Sequence, residues 1–167
     1  LERVSCPIAR DPIVCGKPMN DRRIEFVALD SLRAAPRNPK LHSPQLPASL
    51  ERWGYVEPMV VDVRTGRLVA WHGRMEALRV MRTRGLGAPD GVRVSAGEWL
   101  VPVQRGWASR DDAEAEAFLL ASNQLGVDGG NDAVLLAEML AEASDLDGTG
   151  FAAESQSELT EITEWDA

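Results

Sequence analysis

Three consecutive residues that could bind an anion, His72-Gly73-Arg74, form a short turn between an apolar run and an amphipathic helical pattern. The first backbone N–H groups of a helix have no partner within it, and the helix dipole places partial positive charge there. Gly73 would let a ligand approach the backbone, and the guanidinium of Arg74 suits phosphate oxygens. The turn therefore predicts an anion-binding site, most simply for a nucleotide phosphate. The alternative is an ordinary strand-to-helix turn in which Arg74 is a surface charge.

Four residues around this turn extend the chemistry that it could perform. His72 could bind a phosphate or exchange a proton near neutral pH, although an isolated histidine is often a structural one. Glu57 and Asp30 are the carboxylates that could serve as a catalytic base or hold a metal, or they could be solvated surface charges. Trp71 could narrow a pocket or stack on a base. We therefore predict His72, Glu57 and Asp30 as catalytic candidates.

The segments on either side of this turn mix predicted strands with predicted helices, without regular βαβ alternation, which favours an α+β fold. Apolar runs predict strands at 24–29, 59–63, 68–71 and 100–104, the middle two forming a hairpin around Gly66. Helices are predicted at 47–53, at 113–124, from 131 to about 143, and after the turn, where Met75, Leu78 and Met81 share a face and the helix ends near Gly85. Residues 85–97 are predicted as a loop and 126–130 as a helix break.

Length and composition indicate one domain with extensions. The chain has 167 residues, 44% of them hydrophobic, and a net charge of −8. We predict an N-terminal arm at 1–23, a domain at 24–144 and an acidic tail at 145–167. No apolar run approaches the roughly 18 residues of a membrane span, and no signal pattern is present, so we expect a cytoplasmic protein with no membrane partner. Cys6 and Cys15 lie in the arm and are expected to be free thiols.

The charge distribution bears on nucleic-acid binding. Acidic residues are concentrated from 111 to the C-terminus, whereas residues 74–84 hold four arginines and one glutamate. Proteins that grip duplex DNA usually carry a basic face. We therefore expect this domain alone to bind DNA only weakly, with a steep dependence on salt.

Several motifs, taken in order, resemble the N-terminal domain of the ParB/sulfiredoxin superfamily. They lie at 27–32 (Val-Ala-Leu-Asp-Ser-Leu), 37–40 (Arg-Asn-Pro-Lys), 49–61, 72–74, 101–103 (Val-Pro-Val) and 121–125 (Ala-Ser-Asn-Gln-Leu). The segment 146–151 (Leu-Asp-Gly-Thr-Gly-Phe) is similar to stand-alone, phage-type ParB-like domains, some of which are attached to DNA methyltransferases. The resemblance covers roughly residues 24–152.

This resemblance implies a ParB/sulfiredoxin-like fold, a small mixed sheet with helices packed around it, that binds a nucleotide. Family members use CTP with Mg²⁺, or ATP; some transfer a phosphoryl group to serine, and some are described as nucleases. By position, the resemblance implies that Asn123 helps to hold the metal. The nucleotide-binding residues that it implies are Arg37, Asn38, Trp71, His72, Gly73, Arg74, Ser122 and Asn123.

The chain also departs from the family pattern. No cysteine lies at 70–74, so the sulfiredoxin nucleophile is missing from the turn. Ala70 and Gly73 stand where the kinase branch tends to carry an acidic residue and a second histidine. Ser122 replaces an acidic residue, which weakens a magnesium site, because Mg²⁺ prefers carboxylate oxygen. Glu57 stands where partition proteins usually have glutamine.

Two functions of different classes remain open. One is a nucleotide-dependent enzyme, namely a slow nucleoside triphosphatase, a phosphotransferase or a nuclease. The other is a non-catalytic binding module that acts through a protein partner, for example a DNA-modifying protein, or through DNA. Gly73, Arg74 and Asn123 favour nucleotide binding in either case.

Overall fold

A computed structural model describes residues 21–143 and 145–151 and has a mixed α+β architecture. A one-turn 3-10 helix, Leu29–Ser31, follows the first strand. The predicted arm, with Cys6 and Cys15, lies almost wholly outside the described residues, as does the tail beyond 151. The elements are β1 (Arg23–Ala28), α1 (Leu46–Trp53), β2 (Met59–Asp62), β3 (Leu68–Ala70), α2 (His72–Thr83), β4 (Arg93–Ser95), β5 (Glu98–Trp107), α3 (Asp112–Asp128) and α4 (Ala133–Glu142).

The five strands form one small mixed sheet. Its order is β1-β5-β2-β3, with β4 paired to the start of β5. β5 runs antiparallel to β1 and β4 but parallel to β2, and β2 and β3 form an antiparallel hairpin. Gly66 supplies the positive φ of 66° that this hairpin turn requires. The prediction of an α+β fold with this hairpin is confirmed.

The core lies between the sheet and the helices α1 and α2. The predicted core residues of α2, namely Met75, Leu78 and Met81, are all buried. They pack with alternate residues of β5, including Val101 and Val103, which are fully enclosed. Because α2 begins two residues after β3 ends, burial of this face fixes the direction in which its first turn points. The sheet and core therefore act as the platform for the 72–74 turn.

A buried carboxylate ties the hairpin to the start of α3. The Asp62 side chain is fully enclosed and accepts hydrogen bonds from the hydroxyl and N–H of Ser109, the hydroxyl of Thr65 and the N–H of Arg64. Burial raises the pKa of Asp62, but these four donors outweigh it, so the pKa lies below its usual range. The Arg64 guanidinium also contacts Ser109 and Asp112. This network fixes the N-terminal end of α3.

Several predicted boundaries need correction. The segment 85–97 is not only a loop, since it contains β4, which turns into β5 through Ala96 and Gly97 at positive φ. α3 does not break at 126 but continues through Gly126 to Asp128. β5 is longer than the predicted strand at both ends. Short elements and glycines inside helices depend on tertiary pairing that local pattern does not contain.

The first residues of the predicted tail pack against α1. Arg52 donates hydrogen bonds to the Asp145 carboxylate at 2.8 Å and to the Asp147 carbonyl at 2.6 Å. A Cβ on Gly148 would lie 2.9 Å from the Cα of Ser49. A domain boundary at 144 therefore cuts through these contacts. Within the described ranges, none of the helices combines the length and apolar character that crossing a membrane requires.

Candidate anion-binding cleft

A cleft of about 410 Å³ opens at the N-terminal end of α2. Its walls come from the loop at 40–43, the start of α1 at Leu46, the first turn of α2 and the second half of α3. Six of the predicted site residues line it, namely Trp71, His72, Gly73 and Arg74 at the start of α2 and Ser122 and Asn123 on α3. Residues far apart in sequence therefore meet at one cavity.

The start of α2 differs from the starts of the next two helices. No side chain caps α2, and its N-cap residue, Trp71, has a left-handed φ of 67°. In contrast, the carboxylates of Asp111 and Asp132 accept hydrogen bonds from the first turns of α3 and α4. A bulky residue in the left-handed region costs roughly 1–2 kcal/mol. The first turn of α2 therefore points uncapped toward the cleft, at the end where the helix dipole is positive.

The Arg74 side chain, which extends from the first turn of α2, contacts two other side chains. It forms an ion pair with Glu57, and its guanidinium carbon lies 4.1 Å from the centre of the Trp71 ring. The Arg74 side chain is 18% exposed, whereas that of Glu57 is 54% exposed. The pairing with Glu57 is the structural role that competes with phosphate binding. Because Glu57 is the more solvated partner, the pair can open toward water with little rearrangement of the core.

His72 is held by the protein on both sides of its ring. It is 3% exposed, and its Nε2 accepts a hydrogen bond of 3.1 Å from the N–H of Ala35. Burial and the nearby His42 lower the pKa of His72, while Glu76 and a backbone hydrogen bond to Leu68 oppose the shift. The ring is therefore neutral, with its proton on Nδ1. This geometry favours the structural alternative for His72 over the acid–base role.

Gly73 makes room for two side chains, one from the loop before α1 and one from the first residue of α1. A Cβ at this position would lie 2.8 Å from both Nδ1 of His42 and Cδ1 of Leu46. Real Cβ atoms almost never come so close to a neighbour. We expected Gly73 to leave space for a ligand, but the side chains of His42 and Leu46 occupy the space beside its Cα.

Asn38 and Asn123 join the loop to α3. The Asn123 side-chain N–H group donates a hydrogen bond of 3.1 Å to Oδ1 of Asn38, which also accepts from the N–H of Lys40. Since both donors converge on that oxygen, the orientation of both amides is fixed. Asn123 lies within α3, whose C-cap residue is Gly129. Its Oδ1 remains as an acceptor.

The charge of the cleft is opposite to that of the chain. Lys40 and Arg74 line it, and no carboxylate is among the described residues that form its walls, although Glu57 and Glu76 contact lining residues from outside. The acidic residues of α3 lie outside its walls, and the α3 segment that contributes, 122–127, is uncharged. Such a lining favours an anion and does not favour a bare divalent cation.

A resident metal does not fit this donor set. The part of the chain that the structure describes has no group of three or more His, Cys, Asp or Glu side chains that could hold a metal ion. Asn123 offers one amide oxygen, and Ser122 offers a hydroxyl in place of the carboxylate that Mg²⁺ prefers. The predicted Mg²⁺ site at Asn123 therefore has no carboxylate support from the cleft.

Two predicted site residues lie away from the cleft. Asp30 pairs with Arg82 at 2.8 Å, near the C-terminal end of α2 and about 12 Å along the helix from Arg74. Arg37 is 81% exposed and lies 3.6 Å from Glu116, beside separate cavities. Neither residue is brought to the 72–74 turn.

Two residues of the cleft were missed in the sequence. Lys40 and His42 lie in the loop that follows Asn38, and both line the cavity. One signal could have pointed to them: this loop lies between Pro39 and Pro44, so its course is restricted, and it holds one of the two histidines in the chain. The missing information was the packing of His42 on Gly73, a contact across 31 positions of sequence.

Comparison with models of known protein families gives no match, and a search of curated proteins finds no similar sequence.

Proposed function

We propose that the cleft binds the phosphate groups of a nucleoside triphosphate, of the CTP or ATP type. The observation that carries this proposal is a cleft with cationic lining residues and an uncapped helix start in a chain of net charge −8. An uncapped helix N-terminus offers N–H donors and positive dipole charge to an anion. Lys40 and Arg74 add two positive side chains from different elements.

Arg74 would bind the anion by changing partners. In the structure its guanidinium pairs with the exposed Glu57, and a guanidinium has five N–H donors. A phosphate in the cleft would compete with Glu57 for this fork while the stack on Trp71 holds the guanidinium plane. Exchange of a solvated carboxylate for a phosphate costs little desolvation, because Glu57 returns to water.

The resemblance to the ParB/sulfiredoxin superfamily supports the same assignment. Three of the motifs on which it rests, at 37–40, 72–74 and 121–125, contribute Lys40, the α2 first turn and Asn123 to this one cleft. The hydrogen bond between Asn38 and Asn123 joins two of those motifs across 85 positions of sequence. We therefore propose a fold of this superfamily, with the nucleotide at its shared motifs.

For this chain we favour binding over hydrolysis. No carboxylate is among the described residues that line the cleft, a set from which Glu57 is absent, and Asp30 is at the other end of α2. Removal of a proton from an attacking water needs a base within hydrogen-bond reach. A nucleotide-dependent binding module, acting through a protein or DNA partner, is therefore the form of the proposal that the geometry supports best.

Calorimetric titration of the whole chain with ATP, CTP and inorganic tripolyphosphate, each with and without Mg²⁺, tests this function. We expect saturable binding of at least one nucleoside triphosphate. In backbone NMR spectra, we expect the largest shifts at the amides of residues 72–74, with small shifts at the start of α3. Absence of binding by all three compounds, or shifts confined to other surfaces, would contradict the proposal.

A further inference from the structure

The chain has two histidines, and both line the same cleft although thirty positions separate them. His72 has a structural role, since its Nε2 accepts a hydrogen bond from the N–H of Ala35 and its ring is buried and neutral. A histidine in this state cannot donate a charged hydrogen bond without losing the Ala35 contact. The ring that could meet a ligand is therefore the other one.

His42 has the opposite surroundings. Its side chain is 18% exposed, and it forms a wall between the cleft and a neighbouring groove of about 240 Å³. Its Nε2 lies 3.9 Å from a carboxylate oxygen of Glu76, which is beyond hydrogen-bond distance. Among the described residues no hydrogen bond reaches either nitrogen of this ring. The ring of His42, at a cationic cleft, therefore has an N–H group that can donate a hydrogen bond to a ligand.

The first turn of α2 is shaped to receive this ring. Gly73 permits the imidazole to lie against the helix backbone, where a Cβ would be 2.8 Å from Nδ1 and 2.9 Å from Cγ of His42. The ring therefore lies next to the helix end that we propose as the phosphate site. This contact explains why a glycine stands there, which the backbone conformation alone does not, because its φ is not positive.

We propose that His42, and not His72, is the histidine that contacts the bound phosphate, as an imidazolium that donates a hydrogen bond to a phosphate oxygen. This inference rests on the proposed function and adds a residue and a pH dependence to it. Binding of the anion would then be coupled to uptake of a proton by the protein. The proton comes from solvent and forms the second N–H bond of the His42 ring, and no bond of the nucleotide forms or breaks.

Charged groups face His42 from the loop and from α2. Glu76 places a carboxylate oxygen 3.9 Å from its Nε2, Lys40 and Arg74 line the cleft, and Arg84 lines the neighbouring groove that His42 also borders. His72, also on α2, is neutral, and α1 and α3 contribute Leu46, Ser122 and Asn123, which carry no charge. A bound phosphate would neutralise Lys40 and Arg74, so the balance shifts toward a protonated His42.

The test uses the histidine NMR signals of the intact chain, in which two side chains account for every signal. On titration with ATP we expect the His42 ring resonances to shift and to move toward the protonated form. The His72 resonances should remain those of a neutral ring with its proton on Nδ1. Binding without any change in the His42 resonances would overturn the inference while leaving the proposed function intact.

A matched variant checks the coupling in binding data. We expect the affinity of the wild-type chain for ATP to fall about tenfold between pH 5.5 and pH 8.0, as a charge-assisted hydrogen bond is lost. His42→Gln keeps a neutral N–H donor of similar size, so its affinity should change much less, and protonation of ATP itself affects both proteins equally. An identical pH dependence in the two proteins would overturn the inference. If wild-type protein binds no polyphosphate at any pH, the proposed function fails together with it.

Discussion

The two ends of α2 carry similar ion pairs in opposite electrostatic settings. At the C-terminal end, Arg82 pairs with Asp30, and at the N-terminal end, Arg74 pairs with Glu57. A helix dipole favours a cation in the last turn and disfavours one in the first turn. Arg82 thus stands where the helix itself is stabilised by an arginine, and Arg74 stands where it is not.

Because the helix dipole does not favour Arg74, the presence of this arginine needs an explanation other than helix stability. Glu57 and the Trp71 ring compensate for a cation at the positive end of α2, but a neutral residue there would need no compensation. The same end has the left-handed Trp71, no side-chain cap and the cleft. Unfavourable local features gathered at one place are typical of sites that bind or react. The C-terminal end of α2 serves as the internal control.

The largest effect on stability that we predict from this comparison comes from its glycines. Gly73→Ala places a Cβ against His42 and Leu46, so we expect a loss of about 2 kcal/mol in the free energy of unfolding, as in other overpacked sites. Gly85→Ala, just beyond the C-terminal end, meets no atom within 4 Å and suffers only from its φ of 73°, at about 1 kcal/mol. Urea denaturation of both variants provides the measurement.

Only Gly73→Ala should also lower the affinity for ATP, because its methyl group must displace the ring of His42. Ordinarily, replacement of a helical glycine by alanine stabilises a protein. A stabilised Gly73→Ala protein with wild-type affinity would show that the contact between Gly73 and His42 has no role.

A smaller effect is expected from neutralising the two carboxylate partners. Glu57→Gln frees Arg74, so we expect affinity for tripolyphosphate to rise by about two- to fivefold, which corresponds to an exposed ion pair of about 0.5–1 kcal/mol. Asp30→Asn removes the equivalent partner of Arg82 and should leave affinity unchanged. Calorimetric titration of both variants tests this. Weaker binding by Glu57→Gln would assign Glu57 a direct role at the ligand.

The smallest effect concerns pH. The pKa of His72 is lowered in the folded protein, mainly by burial, so the unfolded chain binds more protons below about pH 6.5, the usual value for histidine. The free energy of unfolding should therefore decrease as the pH falls from 7.5 to 5.5. Asp62, whose pKa is also lowered, adds its effect only below about pH 4. Denaturation curves that show equal or greater stability at pH 5.5 would contradict a buried, neutral His72.

Much of the fold could be predicted because many of its helices and turns have recognisable patterns in the local sequence. The helical spacing of Met75, Leu78 and Met81 and the turn at Gly66 identify α2 and the β2–β3 hairpin, and the structure confirms both. β4 could not be predicted, since its three exposed residues form a strand only by pairing with β5. Likewise Gly126 stays helical within α3 although glycine usually weakens a helix.

The site was predictable in part for a similar reason. The turn at 72–74 is a continuous motif, so its position next to a strand and a helix can be inferred from sequence. The role of His42 depends on a loop folding back over Gly73, and the role of Glu57 depends on the path between α1 and β2. Asp30 illustrates the reverse. It is a catalytic candidate by residue type alone, and its pairing with Arg82 places it at the other end of α2 from the turn.

The most direct test of the central claim, that the N-terminal end of α2 binds phosphate, compares Arg74→Ala with Arg82→Ala. Each removes one arginine and one partly exposed ion pair from the same helix, so both effects on unfolding should be small. We predict that Arg74→Ala weakens ATP binding by roughly 1.5–3 kcal/mol, on the order of ten- to a hundredfold, whereas Arg82→Ala leaves it unchanged. Unchanged ATP affinity in a well-folded Arg74→Ala protein would contradict the account.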